Sequence, residues 1–146
     1  MIAFFLLVLG SVSNGGRATF NIRLEISPTK TKISILCAIT KVNSTFSPPL
    51  KIALYLNNSF FNPIISAFWF RGPAYWKGFL RDPILIKNSD FCYGTVQCEL
   101  FDFSTDKVLF YENQNPHSQL SGEYICEVED AGDKAKNSST QFCMEV

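Results

Sequence analysis

The chain has 146 residues, 47% hydrophobic and 18% charged, with thirteen basic and thirteen acidic side chains that cancel. That length and apolar content describe one globular domain with enough material for a core, and they exclude a disordered chain. The balanced charge, with no Lys/Arg run beyond isolated pairs, leaves no electrostatic footprint for nucleic acid or an anionic membrane surface. Fourteen Phe exceed what a small core needs, so some aromatics are expected to face outward.

Ile2 to Leu9 is an unbroken apolar run that Val12 extends to about eleven residues. This suits the apolar segment of a secretory leader and falls short of the roughly 20 residues of a membrane-spanning helix. Ser11 and Ser13 supply small residues at the −3 and −1 positions, so cleavage after Ser13 is expected. Residues 1–13 then form the leader and residues 17–146 a single domain. No second long apolar run follows, and the mature chain is expected to be secreted, without a membrane span. Three glycosylation sequons, at Asn43, Asn57 and Asn137, agree with that compartment, each in a stretch that reads as a polar turn.

Residues 21–26 alternate polar and apolar as a half-buried strand does, and Ser27-Pro28 breaks the pattern. Residues 32–39 alternate again, with Ile33, Ile35, Cys37 and Ile39 on one face. Residues 43–49 are loop-like, 50–56 read as a strand, and 64–72 as another that contains Trp69. Tyr75 and Trp76 extend this aromatic region. Residues 95–103 and 107–111 read as two strands around a Ser104–Asp106 turn, and 113–120 as a polar loop. Tyr124 and Cys126 then share one face of a strand that runs to Glu129; residues 130–133 turn, and 139–146 return as the last strand. The pattern is all-β.

Ser121-Gly122-Glu123-Tyr124-Ile125-Cys126 resembles strand F of the immunoglobulin superfamily, where a Tyr two residues before the half-cystine bonds back to the preceding turn. The resemblance implies an immunoglobulin-like antiparallel β-sandwich of variable or intermediate type, with Tyr124 in the core and Cys126 joined to Cys37 on strand B. It also implies a bulky strand C residue against that disulfide. Trp69, in a W-F-R-G context 57 residues before Cys126, is favoured over Leu54, which lies 17 residues after Cys37. That choice makes residues 48–62 an inserted hairpin between strands B and C. With Trp69 inward, Phe68 and Phe70 turn outward beside Tyr75 and Trp76, on the sheet that variable-type domains commonly use for binding. The Asp that the family usually has six residues before the strand F Cys is Leu120 here, so no salt bridge is carried over to that position.

Five cysteines are an odd count. Cys92 pairs with Cys98, leaving Cys143 free to join another chain, or Cys143 pairs with one of those two. No C-x-x-C spacing exists and His117 is the single histidine, which argues against a metal site and against a hydrolytic triad. No cofactor motif and no enzyme are expected. The expected function is non-catalytic: a secreted or cell-surface-associated module that binds a protein partner in adhesion, receptor-like or immune-modulating work, through Phe68, Phe70, Tyr75 and Trp76. The alternatives are a carbohydrate-binding sandwich in which Tyr75 and Trp76 stack on sugar rings, and a structural domain, disulfide-linked as a dimer through Cys143.

Overall fold

Alternating strands and short turns build two stacked antiparallel sheets in the computed structural model, which describes residues 6–14, 18–42, 44–57, 61–70 and 82–144. In chain order the strands are β1 (Leu6–Asn14), β2 (Ala18–Pro28), β3 (Ile33–Lys41), β4 (Leu50–Asn57), β5 (Phe61–Trp69), β6 (Ile84–Lys87), β7 (Gln97–Asp102), β8 (Asp106–Asn113), β9 (Glu123–Asp130) and β10 (Asp133–Ser138). One sheet has the order β1-β2-β3-β8-β7 and the other β10-β9-β4-β5-β6. The residues read as a leader overlap β1, which pairs with β2 from Leu6↔Ile26 to Asn14↔Ala18.

The core follows from period-2 alternation. Ile22, Leu24 and Ile26 of β2, and Ile33, Ile35, Cys37 and Ile39 of β3, have no exposed surface. From the opposite sheet, Ile52, Leu54, Leu56, Tyr124, Cys126 and Val128 meet them, equally buried. Each large apolar side chain buried this way contributes about 1.5–3 kcal/mol relative to exposure. Cys37 and Cys126 are joined across the sandwich, with Cα atoms 5.6 Å apart and a sequence separation of 89. A loop of that length corresponds to roughly 4–5 kcal/mol of chain-entropy stabilisation. Cys92 and Cys98 are joined to each other, and Cys143 is free and exposed.

The entry to β9 is fixed by its own residues. Gly122 has φ 147°, a region that a side chain strongly disfavours, and its N–H and C=O both bond Phe142 at 2.8 Å. The Tyr124 hydroxyl donates to the carbonyl of Leu120 in the 3-10 turn Ser118–Leu120. Burial, with the charge of Tyr111 a smaller cause, pushes the Tyr124 phenol far above its ordinary pKa.

The structure corrects four assignments. Strand C is β4: it pairs with β9 and sets Leu54 opposite Cys126, whereas Trp69 ends the next strand, β5, which pairs with β4 and not with β9. Residues 48–62 are therefore strand C and the turn that follows it, not an insertion. The reason is that Leu54 fills the position where the family's Trp normally signals the strand. The last strand is Asp133–Ser138, not 139–146, because the Ala131-Gly132 turn returns the chain at once. Both turn residues have positive φ, 49° and 93°, as a two-residue type I′ hairpin requires. Asn137 accordingly sits within β10 and not in a turn.

Two ion pairs hold the end of the sandwich where β3, β5 and β9 finish. Lys41 Nζ lies 2.6 Å from Asp130 Oδ2, and Asp130 Oδ1 accepts the Ser47 N–H at 2.6 Å. Lys107, 5% exposed, donates to Asp102 Oδ1 at 2.5 Å and to the Phe103 carbonyl at 2.7 Å. Its ammonium lies 5.3 Å from the Trp69 ring centroid, and Trp69 Nε1 donates to Asp102 Oδ2 at 3.1 Å. Trp69, 2% exposed, is thus a core residue at the sandwich end that ties β5 to β7.

Candidate functional site

The outer face of the β10-β9-β4-β5-β6 sheet divides into two halves. On β9 and β10 the outward positions carry Glu123, Glu127 and Glu129 against Lys134 and Lys136, and Lys134 Nζ stands 3.8 Å from Glu129 Oε1. These charges, exposed on the lysines and half-buried on the glutamates, solvate the sheet and stabilise it little. On β5 and β6 the outward positions are apolar apart from the buried Ser66. Phe68, half-buried, lies opposite Ile84, and Ser66 opposite Ile86. Phe70 is 47% exposed and Ile84 and Ile86 are each 53% exposed.

The Phe68 and Phe70 rings stack with centroids 6.4 Å apart and an interplanar angle of 12°. Lys51 of β4, across from Phe68, holds its ammonium 5.7 Å from that ring and 5.9 Å from the ring of Tyr55. The aliphatic stem of Lys51 thereby joins the aromatic patch to the charged half. A contiguous apolar patch on a sheet face, rimmed by charge, can bury itself against a partner and gains little by remaining in water.

Tyr75 and Trp76 lie outside the described residues, as does the sequon residue Asn43. Asn57 is exposed at the end of β4. Asn137 is half-buried, and its Nδ2 donates to the Ile22 carbonyl at 3.2 Å, across to β2. Sequence reasoning misses β6 altogether, and with it Ile84 and Ile86. The Ile-Leu-Ile run is the available signal, since alternation around a half-buried Leu85 turns both Ile side chains to the same outer face.

The opposite sheet carries a cleft of about 330 Å³ on its outer face, with Arg23, Ala38, Phe103 and Val108 among its lining residues. His117 is half-buried, and its carbonyl accepts the Leu120 N–H. Among the described residues no group of three His, Cys, Asp or Glu side chains could hold a metal ion. No helix among them is long and apolar enough to cross a membrane.

A five-stranded sheet ending in two strands beyond strand C, facing a second sheet through a β3–β9 disulfide, defines a variable-type immunoglobulin sandwich. The chain is similar to solved structures that include domain 1 of VCBP3 from Branchiostoma floridae. The TM-score is 0.54 at 14% identity, covering 84% of this chain and 93% of that one. At that identity the likeness is one of fold. Neither a protein-family model nor a curated protein matches the sequence.

Proposed function

We propose that this protein is a secreted, non-catalytic recognition domain that binds a protein partner through the outer face of β5 and β6. The immunoglobulin-like fold suits a recognition module, and the observation that carries the reading is the exposed apolar patch of Phe68, Phe70, Ile84 and Ile86. Aromatic anchors ringed by polar residues are what protein interfaces concentrate their energy in. The proposed interface extends to Tyr75 and Trp76. Residues 1–13 are the leader that directs secretion, supported by the length of the apolar run and the small residues at its end. The sequons at Asn43 and Asn57 are the proposed glycan acceptors, Asn57 being exposed, whereas half-buried Asn137, whose Nδ2 is engaged by the Ile22 carbonyl, is proposed to stay unmodified. Cys143 is available for a link to another chain.

The test is cell staining with fluorescent tetramers of the secreted protein. Phe70→Ala and Ile84→Glu should abolish staining while the thermal midpoint stays within a few degrees of wild type. Staining that survives both substitutions refutes the assignment of the face. Loss of staining after enzymatic removal of cell-surface glycans, together with an unaffected Phe70→Ala variant, would favour a carbohydrate-binding module instead.

A further inference from the structure

The edge of β2 offers a second, independent interaction surface. In the structure β1 covers that edge over nine unbroken pairs, from Leu6↔Ile26 to Asn14↔Ala18. Removal of residues 1–13, the leader reading on which this inference rests, uncovers it. A bare edge strand presents a row of unpaired N–H and C=O groups, and proteins usually blunt such edges with Lys, Pro or a bulge. β2 has no Lys, no Pro before its last residue, Pro28, and an unbroken register against β3.

The side chains of β2 are complementary to themselves. Its inward row is Phe20, Ile22, Leu24 and Ile26, and its outward row includes Asn21, Arg23, Glu25 and Ser27. An antiparallel copy related by a two-fold axis through Leu24 places Ile22 opposite the second copy's Ile26, and Arg23 opposite the second copy's Glu25. Moving the axis to Arg23 or Glu25 sets like charges face to face. Moving it to Ile22 or Ile26 leaves both charges opposite uncharged residues. Arg23 Nε already lies 2.9 Å from Glu25 Oε2 within the strand, so the pairing through Leu24 closes a square of alternating charge.

We propose that the processed chain forms a symmetric dimer, β2 against β2, centred on Leu24, with the second copy taking the place that β1 occupies. A closed two-fold of this kind is an isologous interface. It leaves the β5–β6 face of each copy clear for a partner, because that face belongs to the other sheet.

The test uses protein secreted by eukaryotic cells from the full-length gene with Cys143→Ser, so that no intermolecular disulfide at that position contributes. Intact mass fixes the N-terminus, and sedimentation velocity reads the association. The expected result is a dimer of chains that begin at Asn14. Arg23→Glu and Glu25→Arg should each weaken it about tenfold or more, since either one turns both cross-strand pairs repulsive. An equimolar mixture of the two variants should recover the dimer. One copy then brings two carboxylates to the edge and the other two guanidinium groups, so both cross-strand pairs are attractive again. That recovery also shows that both variants fold. Monomeric wild type beginning at Asn14 overturns the dimer and leaves the leader reading standing. A dimer indifferent to both substitutions overturns the assigned edge. A chain that retains Met1 overturns the leader reading, and the dimer with it, because β1 then keeps the edge.

Discussion

Asp102 and Lys107 should respond very differently to truncation although they share one ion pair. Lys107 is 5% exposed, and its ammonium is served by Asp102 Oδ1, the Phe103 carbonyl and the faces of Trp69 and Phe46. The Asp102 side chain is 34% exposed. Asp102→Ala therefore strands a buried cation with one carbonyl and two rings, and also removes the acceptor of the Trp69 Nε1 bond. Leaving a buried charge uncompensated costs about 3–5 kcal/mol, and water that enters beside the shortened residue 102 reduces this to about 3 kcal/mol. Lys107→Met leaves the carboxylate with the Trp69 N–H and with solvent, and the Met side chain replaces most of the buried stem. Its cost should be about 1 kcal/mol. The double variant should then be more stable than Asp102→Ala alone. Guanidinium denaturation of the three variants, fitted with a common slope, measures the differences. Equal losses for the two single variants would refute the claim that burial of the ammonium, and not the contact itself, sets the energetics.

The β9–β10 turn and the buried phenols carry two further expected outcomes. Ala131 holds φ 49° in a turn whose favoured sequence is Asn-Gly, so Ala131→Asn should stabilise the domain by about 0.5–1 kcal/mol, read as an unchanged denaturant slope with a higher midpoint. Burial raises the Tyr111 phenol to about 12, against a smaller lowering by its bond from Asn113, and raises Tyr124 further. Both stay protonated in the folded state where the unfolded chain already ionises. Stability is thus complete below pH 10 and falls above it, by about 1.4 kcal/mol per pH unit for each tyrosine, with the Tyr111 contribution exhausted near pH 12. Denaturation series at alkaline pH check this, and Tyr111→Phe should halve the slope.

Strand F is legible because its residues carry their own conformational demands. Gly122 is required by its φ, and Tyr124 reaches a carbonyl four residues back, so the signal is local. Strand C is set by a partner far away in sequence. What distinguishes β4 from β5 is pairing with β9, and with Leu54 at the disulfide the bulk that usually marks strand C is missing. Trp69 supplies that bulk elsewhere, for a different purpose, at the end of the sandwich. The final strand is hidden because Asp-Lys-Ala-Lys-Asn-Ser offers one apolar residue, Ala135, to the interior. An edge strand needs no more than that, and alternation cannot be seen in a polar run. Ile84 and Ile86 show the converse: apolar identity does not tell which side faces the core when both sides are apolar.

Cys143 stands between two anchored neighbours. Phe142 and Met144 are each 6% exposed, Phe142 is bonded twice to Gly122, and the Met144 N–H donates to Ser121 Oγ at 2.7 Å. The thiol therefore projects from a fixed piece of backbone and not from a loose tail. Any group attached to it, whether a spectroscopic label or a tether to a solid support, inherits the orientation of the whole sandwich. A short-linker fluorophore there should tumble with the domain and not on its own, and a surface coated through that sulfur should present every molecule in the same attitude.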